Sequence, residues 1–249
     1  MLRHTAIATA MTFAMMSTPV AATDLTSMTA AESAAFGAAV RNYLLENPEV
    51  IMEAVQVLRD REAAADAQTD FDLVSVNADD IFNDVYSFVG GNPEGDITLV
   101  EFMDYRCGYC RKAYADVEQL LAEDGNIKFI VKEFPILGDA STLTAQFAIA
   151  VKQLHGDEAY KSVHDALIVF TGDPSEASLS RIASSFGLDP EPILTRMSSP
   201  EVQAVINDTR ALGARLNING TPTFVMQDQL LRGYAPLDVM RQMVAEKRG

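Results

Sequence analysis

The chain has 249 residues, 48% of them hydrophobic and 22% charged, with 14 Gly and 10 Pro. That composition excludes a disordered or fibrous protein and suits one large domain, or one domain with an insertion or appendage. Nineteen Lys and Arg against 35 Asp and Glu give a formal net charge of −16, which makes nucleic acid and anionic membrane poor partners.

In chain order, Arg3 and His4 precede an apolar run from Ala6 to Met16, followed by Ser17–Thr18–Pro19 and Val20–Ala21–Ala22. A short positive start, a short apolar stretch and a small-residue exit predict a cleavable signal peptide over residues 1–22. The run falls short of the about 20 residues that span a bilayer, and no later stretch comes close, so no membrane span is expected after cleavage. Export places the mature chain in an oxidising compartment, the periplasm in this reading.

Residues 23–70 read as an N-terminal helical arm. Phe36, Val40, Tyr43 and Leu44 follow helical spacing, and Ile51, Val55 and Leu58 do so again. Between them Asn47–Pro48 offers an N-cap with Pro at the first helical position. Each helix carries a narrow apolar stripe that it cannot bury alone. The stripes either pack on the main domain or pair between subunits as an oligomerisation stalk, and the length of the segment favours the stalk and a homo-oligomer. Ala63–Ala64–Ala65 and the polar residues to Asp70 read as a helical or flexible linker.

Residues 71–136 hold a first α/β half. Gly90–Gly91–Asn92–Pro93 and Gly95 make a turn-rich approach. Ile97–Met103 has the length and β-branching of a buried strand. Ala113, Val117, Leu120 and Leu121 then mark an amphipathic helix, and Gly125–Asn126 breaks it. Ile127–Phe134 is the next strand, stopped by Pro135. The pattern is one βαβ unit with Cys107 and Cys110 at its strand-to-helix turn. Residues 137–217 are helical throughout, about five helices, with Gly156, Gly172 and Gly187 as stops and Asp157, Ser175 and Ser199 as caps. Residues 218–249 return to strands at Pro222–Met226 and Leu230–Gly233, with a closing helix from Pro236 to about Lys247.

The chemistry centres on the two cysteines, the only ones in the chain. Two thiols cannot form a disulfide scaffold, a four-thiolate zinc site or an iron–sulfur cluster in one chain. Cys107 falls at a helix start, where free backbone N–H groups and the macrodipole favour an anion. Arg106, Arg111 and Lys112 crowd that first turn, where acids are usual, and are expected to stabilise a Cys107 thiolate. Cys110 lies one helical turn on, within reach of a disulfide to Cys107. Glu101 sits mid-strand among apolar residues, where a carboxylate is costly without a task. It is read as a buried proton acceptor for Cys110, reached directly or through water. Thr221–Pro222 opens a strand, where a proline implies an edge position or a cis turn. His155 and His164 are read as ordinary surface or core residues.

The order Glu101, Cys107–Gly108–Tyr109–Cys110, a long helical insertion and Thr221–Pro222 resembles the DsbA family of thioredoxin-fold thiol–disulfide oxidoreductases, over roughly Asp96 to Arg248. The resemblance implies a thioredoxin fold with a helical domain inserted between its βαβ and ββα halves. It also implies that Cys107 is an exposed nucleophile, Cys110 the resolving cysteine, Glu101 the buried acid and Pro222 a cis-proline facing the cysteines. Gly108, Tyr109, Thr221 and Pro222 would meet substrate. Gly108–Tyr109 and Thr221 look like the periplasmic isomerases, and the N-terminal segment looks like the oligomerisation arm of the ScsC-like, suppressor-of-copper-sensitivity branch. The expected partners are cysteine-containing exported proteins and a membrane redox partner that resets the CxxC. No cofactor is expected beyond the redox-active disulfide Cys107–Cys110. A DsbA-like dithiol oxidase is one alternative to isomerase or reductase character, and copper(I) held between Cys107 and Cys110 is another, of a different class.

Overall fold

The structure, a computed structural model, describes residues 27–249, so the signal peptide expected over residues 1–22 lies outside the described residues. The chain divides into two compact units, up to Asp60 and from Arg61 onward.

In the first unit, helix α1 (Ala30–Glu46) opens with a capping box. The Thr29 hydroxyl accepts from Glu32 N–H, and the Glu32 carboxylate accepts from Thr29 N–H at 2.8 Å. Asn47 ends this helix, and its carbonyl accepts from Val50 N–H as the next begins, while its side chain turns back to the first helix rather than capping the second. Its backbone N–H and its side-chain amide both donate to Tyr43 O, at 2.8 and 2.9 Å. No residue of α1 is buried. Phe36, Tyr43, Ile51, Met52 and Leu58 are each about half exposed or more.

Helix α2 (Glu49–Val76) runs unbroken through Ala63–Ala65, so the linker takes the helical of its two expected forms. The expected domain boundary at 70/71 falls inside this helix. Val74 is buried with Val100, Phe102, Phe134 and Leu216, which fixes the end of α2 to the second unit.

The second unit is an α/β fold on a five-stranded sheet of order β1-β3-β2-β4-β5. Its strands are β1 (Phe88–Gly91), β2 (Ile97–Met103), β3 (Ile127–Glu133), β4 (Thr223–Met226) and β5 (Gln229–Arg232). Only β2 and β3 are parallel, joined by α4 (Gly108–Asp124), as the βαβ pattern predicts. Strand β1 was hidden in the turn-rich approach and pairs antiparallel with β3. Its last residue, Gly91, has φ +64°, and a Cβ there would lie 2.3 Å from Ile127 O, so the edge closes only with glycine. Strand β4 lies inside the sheet. The edge reading of Pro222 therefore fails: Pro222 stands one residue before the strand, and the Thr221–Pro222 peptide is cis.

The strand alternation sorts two cores. Leu99, Met103, Phe129 and Val131 face α4 and the first part of α5 (Asp139–Val169). Val100, Phe102 and Ile130 face the other way, onto Val74, Ile81 of the short α3 (Ala78–Phe82), Leu212 and Leu216. Between β3 and β4 the inserted helices are α5, which turns at the non-helical Gly156, α6 (Glu176–Ser185), α7 (Pro190–Met197) and α8 (Pro200–Arg215). Counting α5 as two segments, these are the five expected. Ser175 and Ser199 cap α6 and α8 with their hydroxyls. Helix α9 (Leu237–Arg248) closes the chain.

Candidate active site

Strand β2 delivers the chain to the top of the sheet, where a turn leads into α4 with Cys107 as its N-cap residue. Asp104 builds the turn. Its Oδ1 accepts from Arg106 N–H at 2.8 Å, its Oδ2 accepts from Ile136 and Leu137 N–H, and its carbonyl accepts from Cys107 N–H. One buried carboxylate thus fastens the cysteine turn to the segment entering the insertion. Sequence reasoning missed Asp104, whose only signal was an acid directly after an apolar strand.

The two thiols are free and face each other. The Cys110 thiol donates to Cys107 Sγ, and the backbone N–H groups of Cys110 and Tyr109 point at the same sulfur. Together these donors bring the Cys107 thiol down to about 5, against the burial that opposes them. Donating to Cys107, burial and the charge of Glu101 drive the Cys110 thiol far upward. These influences favour the thiolate at Cys107 and keep the proton on Cys110.

The expected exposed nucleophile is in fact 7% exposed, against 1% for Cys110. As a thiol Cys107 donates to the Thr221 carbonyl at 3.1 Å, on the cis Thr221–Pro222 peptide. Gly108 opposes no neighbouring atom, and the ring of Tyr109, 64% exposed, stacks on Tyr234 with centroids 6.5 Å apart.

A helix-capping CxxC facing a cis-proline, on a sheet split by a helical insertion, can be set against known proteins. A family model described as a DSBA-like thioredoxin domain matches residues 98–245, well over half of the chain. The chain belongs to this family. A second model, the copper resistance protein ScsC N-terminal domain, matches residues 32–65. A thioredoxin-like oxidoreductase from Silicibacter pomeroyi is 42% identical, covering 69% of this chain and 98% of its own, with a TM-score of 0.64. The thiol-disulfide exchange protein alpha-DsbA2 from Wolbachia pipientis is 31% identical, covering 74% of this chain and 98% of its own, with a TM-score of 0.68. Proteus mirabilis ScsC is 25% identical with a TM-score of 0.66, covering 88% of this chain and 98% of its own. Among curated relatives, a Na(+)/H(+) antiporter from Salinispora arenicola is 27% identical over 157 residues. Those residues are 63% of this chain, which spans only about a quarter of the antiporter's length, 24%.

Within this DSBA-like domain the three bases do not take the place expected of them. Arg106 Nη1 donates to Gly172 O at 2.9 Å. Arg111 donates to Tyr105 O, and through Nη2 to Phe170 O at 3.0 Å. Lys112 Nζ lies over the Tyr234 ring, 4.2 Å from its centroid. Among the described residues no hydrogen bond joins any of them to Cys107. The arginines instead clamp the cysteine turn to the loop after α5, because the carbonyls there offer what the first turn of α4, with its donors unpaired, does not.

Glu101 is buried, 6% exposed. Burial first, then the charges of Cys107 and Glu133, push its carboxyl up to about 8. Glu133 itself was missed. It is fully buried at the end of β3, and its Oε1 accepts from Tyr105 OH at 2.7 Å and Tyr160 OH at 2.6 Å. His164, read as ordinary, is buried against this group with Nδ1 3.0 Å from the Tyr105 hydroxyl, and burial brings its imidazole down to about 4. The signal for Glu133 was an acid at the end of an otherwise apolar strand, which reads equally well as a strand stop.

Proposed function

We propose that the chain is an exported thiol:disulfide oxidoreductase that exchanges disulfides with protein substrates through a Cys107 mixed disulfide, with isomerase or reductase character. The observation that carries this is the geometry of the CxxC pair: Cys107 caps α4 against the cis Thr221–Pro222 peptide, with Cys110 one turn behind it, and the donors around Cys107 lower its thiol to about 5. The Cys107 thiolate attacks one sulfur of a substrate disulfide. That S–S bond breaks, and the departing thiolate takes a proton from water. Cys110, its proton taken directly or through water by Glu101 in its ionised form, then attacks Cys107 Sγ. The Cys107–Cys110 disulfide forms, the second substrate sulfur leaves as thiolate, and two electrons have moved to the substrate. Run backward, the same steps oxidise a substrate dithiol.

Gly108, Tyr109, Thr221 and Pro222 meet the substrate in this reading, with the Tyr109 ring exposed beside the cysteines. The isomerase leaning rests on the Gly108–Tyr109 pair, on Thr221 and on the N-terminal arm, which we take to join copies of the chain. A membrane redox partner resets the CxxC, and the compartment is the periplasm. Among the described residues no helix is long and apolar enough to cross a membrane. Copper(I) binding at Cys107 and Cys110 has less support, because the family and the paired proton affinities both serve exchange.

The test uses reduced protein. At pH 6, iodoacetamide should label Cys107 and leave Cys110 unmodified, insulin should be reduced, and scrambled ribonuclease should regain activity. Cys107→Ser should abolish all three while the protein stays folded. Absence of insulin reduction by the native chain, together with tight copper(I) retention, overturns the proposal.

A further inference from the structure

Glu133 has no part in the exchange steps, and its hydrogen bonds are incomplete. Tyr105 OH and Tyr160 OH both donate to Oε1, at 2.7 and 2.6 Å, which uses both lone pairs of that oxygen. With the Tyr105 proton committed, His164 donates from Nδ1 to the Tyr105 oxygen. Oε2 is buried and no protein group bonds to it, a costly state for a carboxyl oxygen.

A second orphan shares its surroundings. Thr209, on α8, is 0% exposed, and its Oγ1 likewise has no partner. Tyr86 is near enough to feel the Thr209 hydroxyl but makes no hydrogen bond that satisfies Oγ1. Among the described residues four buried side-chain atoms are unpartnered, and two of the four belong to residues lining one cavity. Glu133 and Thr209 border it together with Tyr86, Lys152, Tyr160 and Val205. The space it leaves for the centre of a water molecule is about 10 Å³, which suits one water and nothing larger.

The chemistry asks for water rather than a side chain. Burial raises the Glu133 carboxyl to about 8. Below that pH Oε2 carries the proton, since Oε1 accepts twice, and Oε2 then needs an acceptor. Above it the same oxygen needs a donor. Lys152, a cation on the cavity wall, can only donate, and Asp157 already holds it. Water does either, and its second hydrogen bond meets the Thr209 hydroxyl.

We propose that a single buried water binds in this cavity and bridges Glu133 Oε2 to Thr209 Oγ1. The water joins β3 to α8. Tyr105 belongs to the turn that carries Cys107, so the bridge completes a polar link from the cysteine turn, through Glu133, to the inserted helices. Thr209 acts on Glu133 through the water and is a positioning residue. The inference goes beyond the exchange reading and does not depend on it. The other groups around Glu133 act in known directions. Asp104 raises its carboxyl, the Tyr105 and Tyr160 hydroxyls lower it, and Glu101 is near enough to feel its charge. Tyr86 and Lys152 stand on the cavity wall, and His164 is neutral above about pH 4.

The experiment is a high-resolution crystal structure of the reduced full-length protein, of Thr209→Val and of Thr209→Ser, with a pH titration of each. The titration follows the carbon-13 signal of the Glu133 carboxyl. The native protein and Thr209→Ser should show density for one water within hydrogen-bond reach of Glu133 Oε2 and the residue-209 hydroxyl. Thr209→Val keeps the shape, and should lose the water. Its ionised Glu133 then lacks a donor, so the midpoint should rise by about one pH unit, the size of one hydrogen bond to a charged group. Thr209→Ser should keep the native midpoint. A native cavity without water density overturns the proposal, as does a Glu133 midpoint that Thr209→Val leaves in place. Should Thr209→Val not fold, the density in the native protein and in Thr209→Ser decides alone.

Discussion

At the scale of single residues, the site spends stability on proton affinity. Glu101 and Glu133 both have carboxyls raised to about 8 in the folded chain, chiefly by burial, against an ordinary value of 4.5. Below pH 4.5 each is protonated whether the chain is folded or not. Between 4.5 and 8 the unfolded chain releases these protons and the folded chain holds them, so the stability they contribute is lost as pH rises through 8. Replacing Glu101 by Gln removes one ionisable group from that balance. Urea unfolding of the reduced Glu101→Gln variant should match the native chain at pH 4 and exceed it at pH 8 by roughly 2 kcal/mol or more. An equal difference at both pH values would mean that Glu101 is not held protonated by the fold. The sequence disclosed Glu101 and both cysteines because each breaks a local pattern. Glu133 and His164 break none, since an acid at a strand end and a histidine in a helix are ordinary until the tertiary fold buries them together.

At the scale of elements, the bases around the cysteines turn from electrostatics to carpentry. Arg111 reaches Tyr105 O on its own side and Phe170 O beyond α5, while Arg106 takes Gly172 O. Charge-assisted hydrogen bonds of this kind contribute about 1.5–3 kcal/mol each when partly buried. Arg111→Met keeps the stem and removes the donors. It should lower stability by about 2 kcal/mol while leaving the pH midpoint of thiolate absorbance at Cys107 in place. A midpoint that climbs by a full unit or more would restore Arg111 as a direct stabiliser of the thiolate. The strands and helix that carry side-chain period, β2, α4 and β3, were legible in the sequence within a residue or two, and the insertion only as about five helices: the stop expected at Gly172 comes at Val169, and Asp157 lies inside α5 rather than capping a helix. Strand β1 was not, because Phe88–Val89–Gly90–Gly91 is short and half glycine, and it forms only where β3 offers an edge. The end of α2 was misjudged for a related reason. Nothing local separates Asp70 from Phe71, and the contact that holds the helix is Val74 in a distant core.

At the scale of the whole molecule, the arm and the catalytic unit call for different accounts of their apolar residues. The unit from Arg61 onward buries its own on both sheet faces. The unit up to Asp60 does not: α1 buries no residue, and Phe36, Tyr43, Ile51 and Met52 stay about half exposed or more. A helical segment with an uncovered apolar stripe is marginal alone and gains most by meeting an identical stripe. The match of residues 32–65 to the ScsC N-terminal domain supports a dedicated segment here. Cutting at Asp60, rather than at the expected boundary after residue 70, spares the Asp70–Arg232 ion pair and the helical turns ahead of Val74, so the remaining chain keeps its core. In light scattering the full mature chain should weigh a small multiple of one subunit, and the truncated chain a single one. Insulin reduction needs one Cys107 thiolate and should survive the cut. Reactivation of scrambled ribonuclease should fall several-fold, because an isomerase gains from copies that hold one misfolded substrate while another attacks it, at an effective concentration no free monomer reaches. A truncated chain of unchanged mass would send the apolar stripes of the arm back to some other partner, and equal reactivation by both forms would separate assembly from isomerisation.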